Sequence, residues 1–315
     1  MKTDIHISVI IPLYNKEKAI ARTVESVLKQ TITNFELIIV NDGSKDNSLS
    51  VAKQIAKQDS RIRIIDKSNG GVSSARNTGI KAATGEYVAL LDGDDTWEPT
   101  FLEEQIRLVH DFPKAAMWGV SIAFIKYGKC WKWEQGMGKG YRGYVENYFG
   151  TKHSDLYCSS SVVIRTDVFN HVGLFDERIS STEDLDMWYR IILKYPVVFY
   201  DKVLVYYNQD AENRVAYDTD VRFPLTKDIK YYFNKYNDEF DRNPVFSRYM
   251  NKYVAENLLK DGYYFGSKQD QIDSDVIVRK LRYKDIHPKY RWIFLTPRWF
   301  GKIVYRIVCL KKRIK

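Results

Sequence analysis

An α/β fold built on a mostly parallel central sheet is what three observations predict. Four runs rich in Ile and Val, ISVIIPLY (7–14), FELIIVND (35–42), RIRIID (61–66) and EYVALLD (86–92), fall within the first hundred residues. A helix-forming stretch follows each of the first three, the alternation that right-handed crossovers between parallel strands produce. The runs are also apolar almost throughout, as strands covered on both faces are.

Taken in order, the first helix is expected over KEKAIARTVESVLKQ (16–30). The second is SKDNSLSVAKQIAKQ (44–58), for which Ser44 is a plausible N-cap, and the third is VSSARNTGIKAATG (72–85). Residues 114–165 read as further strands, AAMWGVSIAFIK and LYCSSSVVIR, around an aromatic, glycine-rich stretch, KCWKWEQGMGKGYRGY. That stretch reads equally as an acceptor-side flap and as a hairpin packed on the sheet. DVFNHVG predicts a short helix, STEDLDMWYRIILKYP (181–196) a capped amphipathic one, and VVFYDKVLVYY two short strands. From about 219 Tyr, Lys, Asp and Asn dominate and the strands stop. A boundary near 215 is expected, with a catalytic domain over 1–215 and a helical extension over 216–315.

Composition narrows the class. With 44% apolar and 28% charged residues the chain can bury a real core. No run of eighteen apolar residues predicts a membrane span, and MKTDIHISVIIPLYN enters a strand without a leader pattern. Cys130, Cys158 and Cys309 are odd in number and widely spaced, which suits a reducing compartment better than a disulfide framework or a zinc site. A cytoplasmic location is the expectation. The net charge of +9 is uneven: residues 281–315 hold eleven Lys/Arg and one acid, so residues 1–280 sum to −1. Basic residues interleaved with Trp and Phe in that tail predict a peripheral contact with an anionic membrane. A helix docked on the body with a solvated basic rim, or a dimerisation arm, would have the same composition. Nucleic acid is not expected, because no recognition module accompanies the tail.

In parallel sheets ligands bind beyond the carboxyl ends of the strands, and the polar clusters fall there: Tyr14-Asn15, Asn41-Asp42, Asn69-Gly70-Gly71 and Asp92 to Asp95. The first turn, PLYNKE, has no glycine, so a dinucleotide fingerprint is absent, and so is a phosphate loop. VALLDGDDTWEP places three carboxylates in four positions after a buried run. Two carboxylates roughly 5 Å apart repel by about 3 kcal/mol at an effective dielectric near 20, and Mg2+ or Mn2+ is the usual remedy.

SVIIPLYN, VNDGS, NGGVSSARNTGI, GEYVALLDGDD and TEDLDMW, in that order and each at a strand or helix end, resemble the family 2 glycosyltransferases. The resemblance covers roughly residues 7–210. It implies a GT-A fold, Rossmann-like in its sheet, and an inverting transfer of a hexose or N-acetylhexosamine from a UDP-sugar to a sugar hydroxyl. Pro12, Tyr14 and Asn15 would end the first strand at the donor, with Tyr14 offering a flat face to a base; a rim tyrosine is the plainer reading. Asp42 would accept from uracil N3–H, or form an Asx turn. Arg76 can reach a diphosphate with its fork, or sit on a helix surface. By resemblance Asp92 touches ribose or donor sugar and Asp94 ligates the metal, Mn2+ or Mg2+. Asp95 orients the sugar or caps a helix. The resemblance favours Asp184 as the base, with Glu183 bracing or binding acceptor; acids at a helix start also serve the dipole. Asp186 is a further candidate, and Trp188, four residues past Asp184, reads as a sugar wall or a core residue.

A glycan or lipid-linked acceptor follows, as does a role in surface polysaccharide or glycolipid synthesis. A sugar nucleotidyltransferase would resemble GxGxRxxPLT near the first strand, which SVIIPLYNKE does not. A non-catalytic nucleotide-sugar binding protein would have little use for Glu183-Asp184.

Overall fold

The computed structural model describes residues 5–150, 156–179, 181–212, 225–258 and 268–282, together with single positions between 284 and 303. The chain divides into two compact units, residues 1–178 with 182–218, and residues 179–181 with 219–315.

The first unit carries one ten-stranded sheet. Strands β1 (Ile7–Leu13), β2 (Phe35–Asp42), β3 (Ile62–Lys67) and β4 (Tyr87–Leu90) lie in the order β3-β2-β1-β4, all parallel. The connecting helices are α1 (Ile20–Leu28), α2 (Ser48–Ala56) and α3 (Val72–Ala82). Next come β5 (Thr96–Trp97), α4 (Phe101–Asp111), β6 (Met117–Lys126), β7 (Lys129–Lys132), β8 (Arg142–Tyr144), β9 (Val162–Arg165), α5 (Val168–Val172), α6 (Glu183–Ile192) and β10 (Val197–Asn208). β9 runs antiparallel between β4 and β6, and β10 pairs parallel with β6. β1, β2, β3, β4, β6 and β10 therefore share one direction, which brings their carboxyl ends to one edge.

Why β1 is central is written in its side chains. Ile7, Val9, Ile11 and Leu13 enter the core beside Ile20, Val24 and Val27 of α1, while Ile10 is buried on the opposite face. Each such side chain stabilises by about 1.5–3 kcal/mol through burial. On that opposite face a Cβ at Gly79 would stand 2.4 Å from Ile10 Cγ2, so α3 approaches β1 as closely as only glycine permits.

Three local expectations change. Residues 197–208 form one strand rather than two, because β6 runs beside the whole length and two register shifts near Tyr200 and Val203 absorb the irregularity. Ser44 is not the cap of α2, which starts at Ser48; the Ser44 hydroxyl instead accepts the Asn15 amide at 3.1 Å. Thr182 does not cap α6 with its side chain but adopts a left-handed backbone, φ +62°. For a β-branched residue that conformation costs about 1–3 kcal/mol. The start of the aromatic stretch is a packed hairpin, where β7 pairs with β6 and Phe124 meets Trp131, Trp133 and Tyr207 at centroid distances of 5.6–5.9 Å, while its end, β8, adds antiparallel to β10.

In the second unit α7 (Leu225–Lys235), α8 (Glu239–Arg242), α9 (Pro244–Asn257) and α10 (Lys268–Lys280) follow one another without a strand among the described residues. Tyr232, Phe233, Tyr236, Phe240 and Phe246 supply its aromatic core. Asn243 caps α9 by accepting the Phe246 amide, with Pro244 at the first helical position. Most of the basic tail, including residues 304–315, lies outside the described residues.

Candidate active site

The loops after β1, β2, β3 and β4 meet at the carboxyl edge and are tied to each other by side chains. Asn15, at φ +50°, accepts the Lys45 amide at 2.8 Å while its own amide reaches Ser44, which offsets its left-handed backbone. Tyr14 is 39% exposed beside it and offers an open ring, and Pro12 closes β1 beneath, its carbonyl 3.1 Å from where a Gly93 Cβ would be.

Asp42 is buried, and its carboxylate is committed. It accepts Lys67 Nζ at 2.6 Å and the amides of Gly70 and Gly71 at 2.9 and 2.8 Å. Asn69 Nδ2 donates to the Asp42 carbonyl. The aspartate thus folds the Asn69-Gly70-Gly71 loop that leads into α3, with Oδ1 accepting twice and Oδ2 once. Lys67, at the end of β3, was not a candidate from sequence; a lysine closing the strand that pairs with the one Asp42 closes was the signal.

The turn after β4 is held by residues far away in sequence. Ser160 Oγ donates to Asp95 Oδ2 at 2.6 Å and accepts the Asp92 amide at 3.1 Å, and the Asn208 amide donates to Asp95 Oδ1 at 3.0 Å. Asp95 is fully buried by these contacts, so it braces the turn and does not face a sugar. Burial, with Asp94 and Asp92 adjoining, raises its pKa well above the ordinary carboxylate value. Asp94 points elsewhere, its Oδ2 2.7 Å from Lys16 Nζ.

Arg76 is only 3% exposed, not on a helix surface, and its fork is already engaged. Nη2 donates to Asp92 Oδ1 at 2.8 Å and Nη1 to Glu183 Oε1 at 2.7 Å. One guanidinium therefore spans the acidic turn and the start of α6, and its role here is to neutralise two carboxylates rather than to lie open to a phosphate. The two carboxylates hold it charged against its burial. Its Nε is buried without a hydrogen-bond partner. Asn77, one residue on, braces the neighbouring loop through the Phe175 backbone and Glu177.

Glu183 and Asp184 divide their roles by environment. Glu183 takes the guanidinium, whereas the hydrogen bond Asp184 receives comes from the Leu185 amide at 2.8 Å. Burial, then the Glu183 charge, push the Asp184 carboxyl up to about 7, with Arg76 pulling the other way. A carboxylate at that value is suited to take a proton near neutral pH. Asp186 and Trp188 do not fit the acceptor role expected of them. Both are fully buried: Asp186 pairs with Arg190 at 2.8 Å, and Trp188 packs edge-on against Phe175. The helix turns that face of α6 into the core.

No three His, Cys, Asp or Glu side chains converge to hold a metal by themselves among the described residues. Asp94 and the part-exposed Asp92 nonetheless present hard oxygens at a turn whose negative charge is balanced here by Lys16 and Arg76. That donor set fits Mg2+ or Mn2+ bound through one or two carboxylates, with phosphate oxygens and water completing the shell.

Residues 8–173 match the family described as Glycosyl transferase family 2. Among curated relatives, an uncharacterized glycosyltransferase EpsJ of Bacillus subtilis (strain 168) is 53% identical over 89 residues, 28% of this chain and 26% of that protein. The uncharacterized glycosyltransferase RP339 of Rickettsia prowazekii (strain Madrid E) is 32% identical over 217 residues, 65% of each chain. The matched stretch is 26% to 37% of the length of relatives such as EpsJ, EpsH and YibD. A crystal structure of S. aureus TarS residues 1–349 in complex with UDP-GlcNAc superposes with a TM-score of 0.67 at 18% identity, covering 85% of this chain and 78% of that one.

Proposed function

The chain belongs to glycosyl transferase family 2, and from that premise we propose that it is an inverting, metal-dependent glycosyltransferase that moves a hexose or N-acetylhexosamine from a UDP-sugar to a sugar hydroxyl. The observation that carries the reading is Arg76, whose buried fork joins the acidic turn to the Glu183-Asp184 pair. Donor-side and acceptor-side carboxylates are thereby held within the span of one side chain. The UDP-GlcNAc complex of the TarS fold relative supports the donor class, and the glycosyltransferase names of EpsJ and EpsH support glycosyl transfer; a place in surface polysaccharide or glycolipid synthesis is our reading of the acceptor.

In this reading the nucleotide lies along the strand ends, with Tyr14 as the face for its base. Asp92, part-exposed beside Arg76, meets the donor. A divalent cation held at Asp94 would supply Lewis-acid neutralisation of the diphosphate. Asp184 removes the acceptor hydroxyl proton as that oxygen bonds to the anomeric carbon. The carbon–oxygen bond to the diphosphate breaks in the same displacement and the nucleoside diphosphate departs with the electron pair. Glu183, held by Arg76, places beside Asp184 the negative charge that strengthens its hold on the proton.

The experiment is UDP release from a panel of UDP-sugars with Mn2+ or Mg2+. Loss of release in both Asp94→Ala and Asp184→Asn supports the assignment. Normal turnover by Asp184→Asn removes the base from this account, and release unaffected by chelator removes the metal.

The acceptor we place at an anionic membrane surface on the cytoplasmic side, as a glycan or lipid-linked sugar reached through the tail over 281–315. Leu295, Trp299 and Ile303, spaced by four, are all at least half exposed, and Arg291, Arg298 and Lys302 are interleaved with them in sequence. No helix among the described residues is long and apolar enough to cross a membrane. Deleting 281–315 abolishes co-sedimentation with phosphatidylserine-rich vesicles if this is right, and leaves it unchanged if it is wrong.

A further inference from the structure

The charge on Asp94 is met from within the chain. Lys16, immediately after Asn15, brings its ammonium 2.7 Å from Asp94 Oδ2 and 2.6 Å from the backbone carbonyl of Glu212. Both side chains of the ion pair are nearly buried, 13% and 14% exposed. The seat is built on every side. The Lys16 amide donates to Ser48 Oγ at 2.7 Å and its carbonyl accepts the Ala19 and Ile20 amides that start α1, so the root of the side chain is fixed. Glu212 is anchored in return, its carboxylate accepting the Lys18 amide at 2.7 Å. On the turn, Thr23 Oγ1 donates to the Gly93 carbonyl and Arg22 Nη2 to the Asp94 carbonyl, each at 3.2 Å.

An ammonium and a divalent cation cannot share Asp94 cheaply. A charge of +1 and one of +2 side by side on one carboxylate repel each other strongly in a partly buried site. The diphosphate of a nucleotide sugar supplies the negative charge that removes this conflict. Resting on the reading of Asp94 as the residue that meets a metal–diphosphate, we propose that Lys16 is a positioning residue that holds Asp94 occupied in the donor-free enzyme. Arrival of the cation together with the diphosphate displaces it and frees the chain at Glu212. The metal then enters with the nucleotide and not before it, and Glu212 loosens its hold on the Lys18 amide when the donor is seated.

The test is Mn2+ binding followed by the electron paramagnetic resonance signal of the free ion, for wild type, Lys16→Met, Lys16→Gln and Lys16→Arg, first alone and then with UDP. Melting temperatures identify any variant that fails to fold, and the two uncharged variants stand in for each other. We expect both to bind Mn2+ at least about tenfold tighter than wild type without nucleotide, a change of about 1.4 kcal/mol, while Lys16→Arg behaves as wild type. In wild type, Mn2+ with UDP is expected to speed hydrogen exchange at the Lys18 amide. Equal nucleotide-free Mn2+ affinity in wild type and both uncharged variants overturns the role of Lys16, as does an unchanged Lys18 amide, even when Mn2+ with UDP binds normally. Failure of every form to bind Mn2+ even with UDP is a different result: it overturns the metal reading of Asp94, and this inference with it.

Discussion

Replacing Arg76 by methionine removes the cation bonded to both Asp92 and Glu183 and leaves a side chain of similar reach. Its consequence for Asp184 can be worked through. Burial and the Glu183 charge raise the Asp184 carboxyl to about 7, and Arg76 is the largest influence lowering it. Removing a unit charge that lowers a buried carboxyl from the neighbouring residue's ion pair is worth on the order of 2 kcal/mol at an effective dielectric near 20; discounted for solvent, that is about one pH unit. The Asp184 midpoint in Arg76→Met is therefore expected near 8. At pH 7 the ionised fraction falls from about a half to about a tenth, so proton transfer alone costs about fivefold in UDP release. Stability falls as well, by about 3 kcal/mol, since an uncompensated buried carboxylate is left behind. Arg76→Lys keeps the charge and should restore most of the midpoint while losing the fork. The assay is the titration of aspartate Cγ by carbon-13 NMR, with the Asp184 signal identified by its loss in Asp184→Asn, beside the pH profile of UDP release. A wild-type midpoint below 5, or the same midpoint in Arg76→Met, would refute the reasoning.

Asp184→Asn should have a pH-dependent effect on folding. The folded-state pKa is raised above the unfolded value, so the favourable contribution of this carboxyl is complete below about 4 and is lost as pH rises through about 7. The variant is expected to melt higher than wild type at pH 8 and equally at pH 4; a constant difference across that range contradicts the shift. Asp42→Asn loses the Lys67 pair and one amide acceptor, and a cost of about 3 kcal/mol in urea unfolding is expected; less than 1 kcal/mol would mean the loop does not depend on it. Gly43→Ala places a Cβ 2.8 Å from the Asn69 amide at φ +69°, so its melting temperature should drop by several degrees. Of Cys130 and Cys158, the exposed Cys130 should react with a disulfide reagent in the folded state. Cys158, whose thiol burial pushes far up, should stay protected until unfolding.

The parallel half of the sheet, its edge of polar loops and the Glu183-Asp184 pair were legible in the linear order of residues. Apolar runs on two-sided strands and polar residues at strand ends are local patterns, and a parallel sheet brings its carboxyl ends together whatever else the chain does. What each acidic residue does was not legible, because that depends on partners brought from elsewhere. Asp95 became a brace through Ser160 and Asn208, 65 and 113 residues away. Asp42 was committed by Lys67 and two loop amides, and Lys16 was brought to Asp94 across 78 residues. The inward turn of Asp186 and Trp188 came from the face that α6 lays on the core. A carboxylate has the same local chemistry wherever it stands in the chain. Burial and the nearest opposite charge decide whether it binds, braces or takes a proton, and both are properties of the folded molecule.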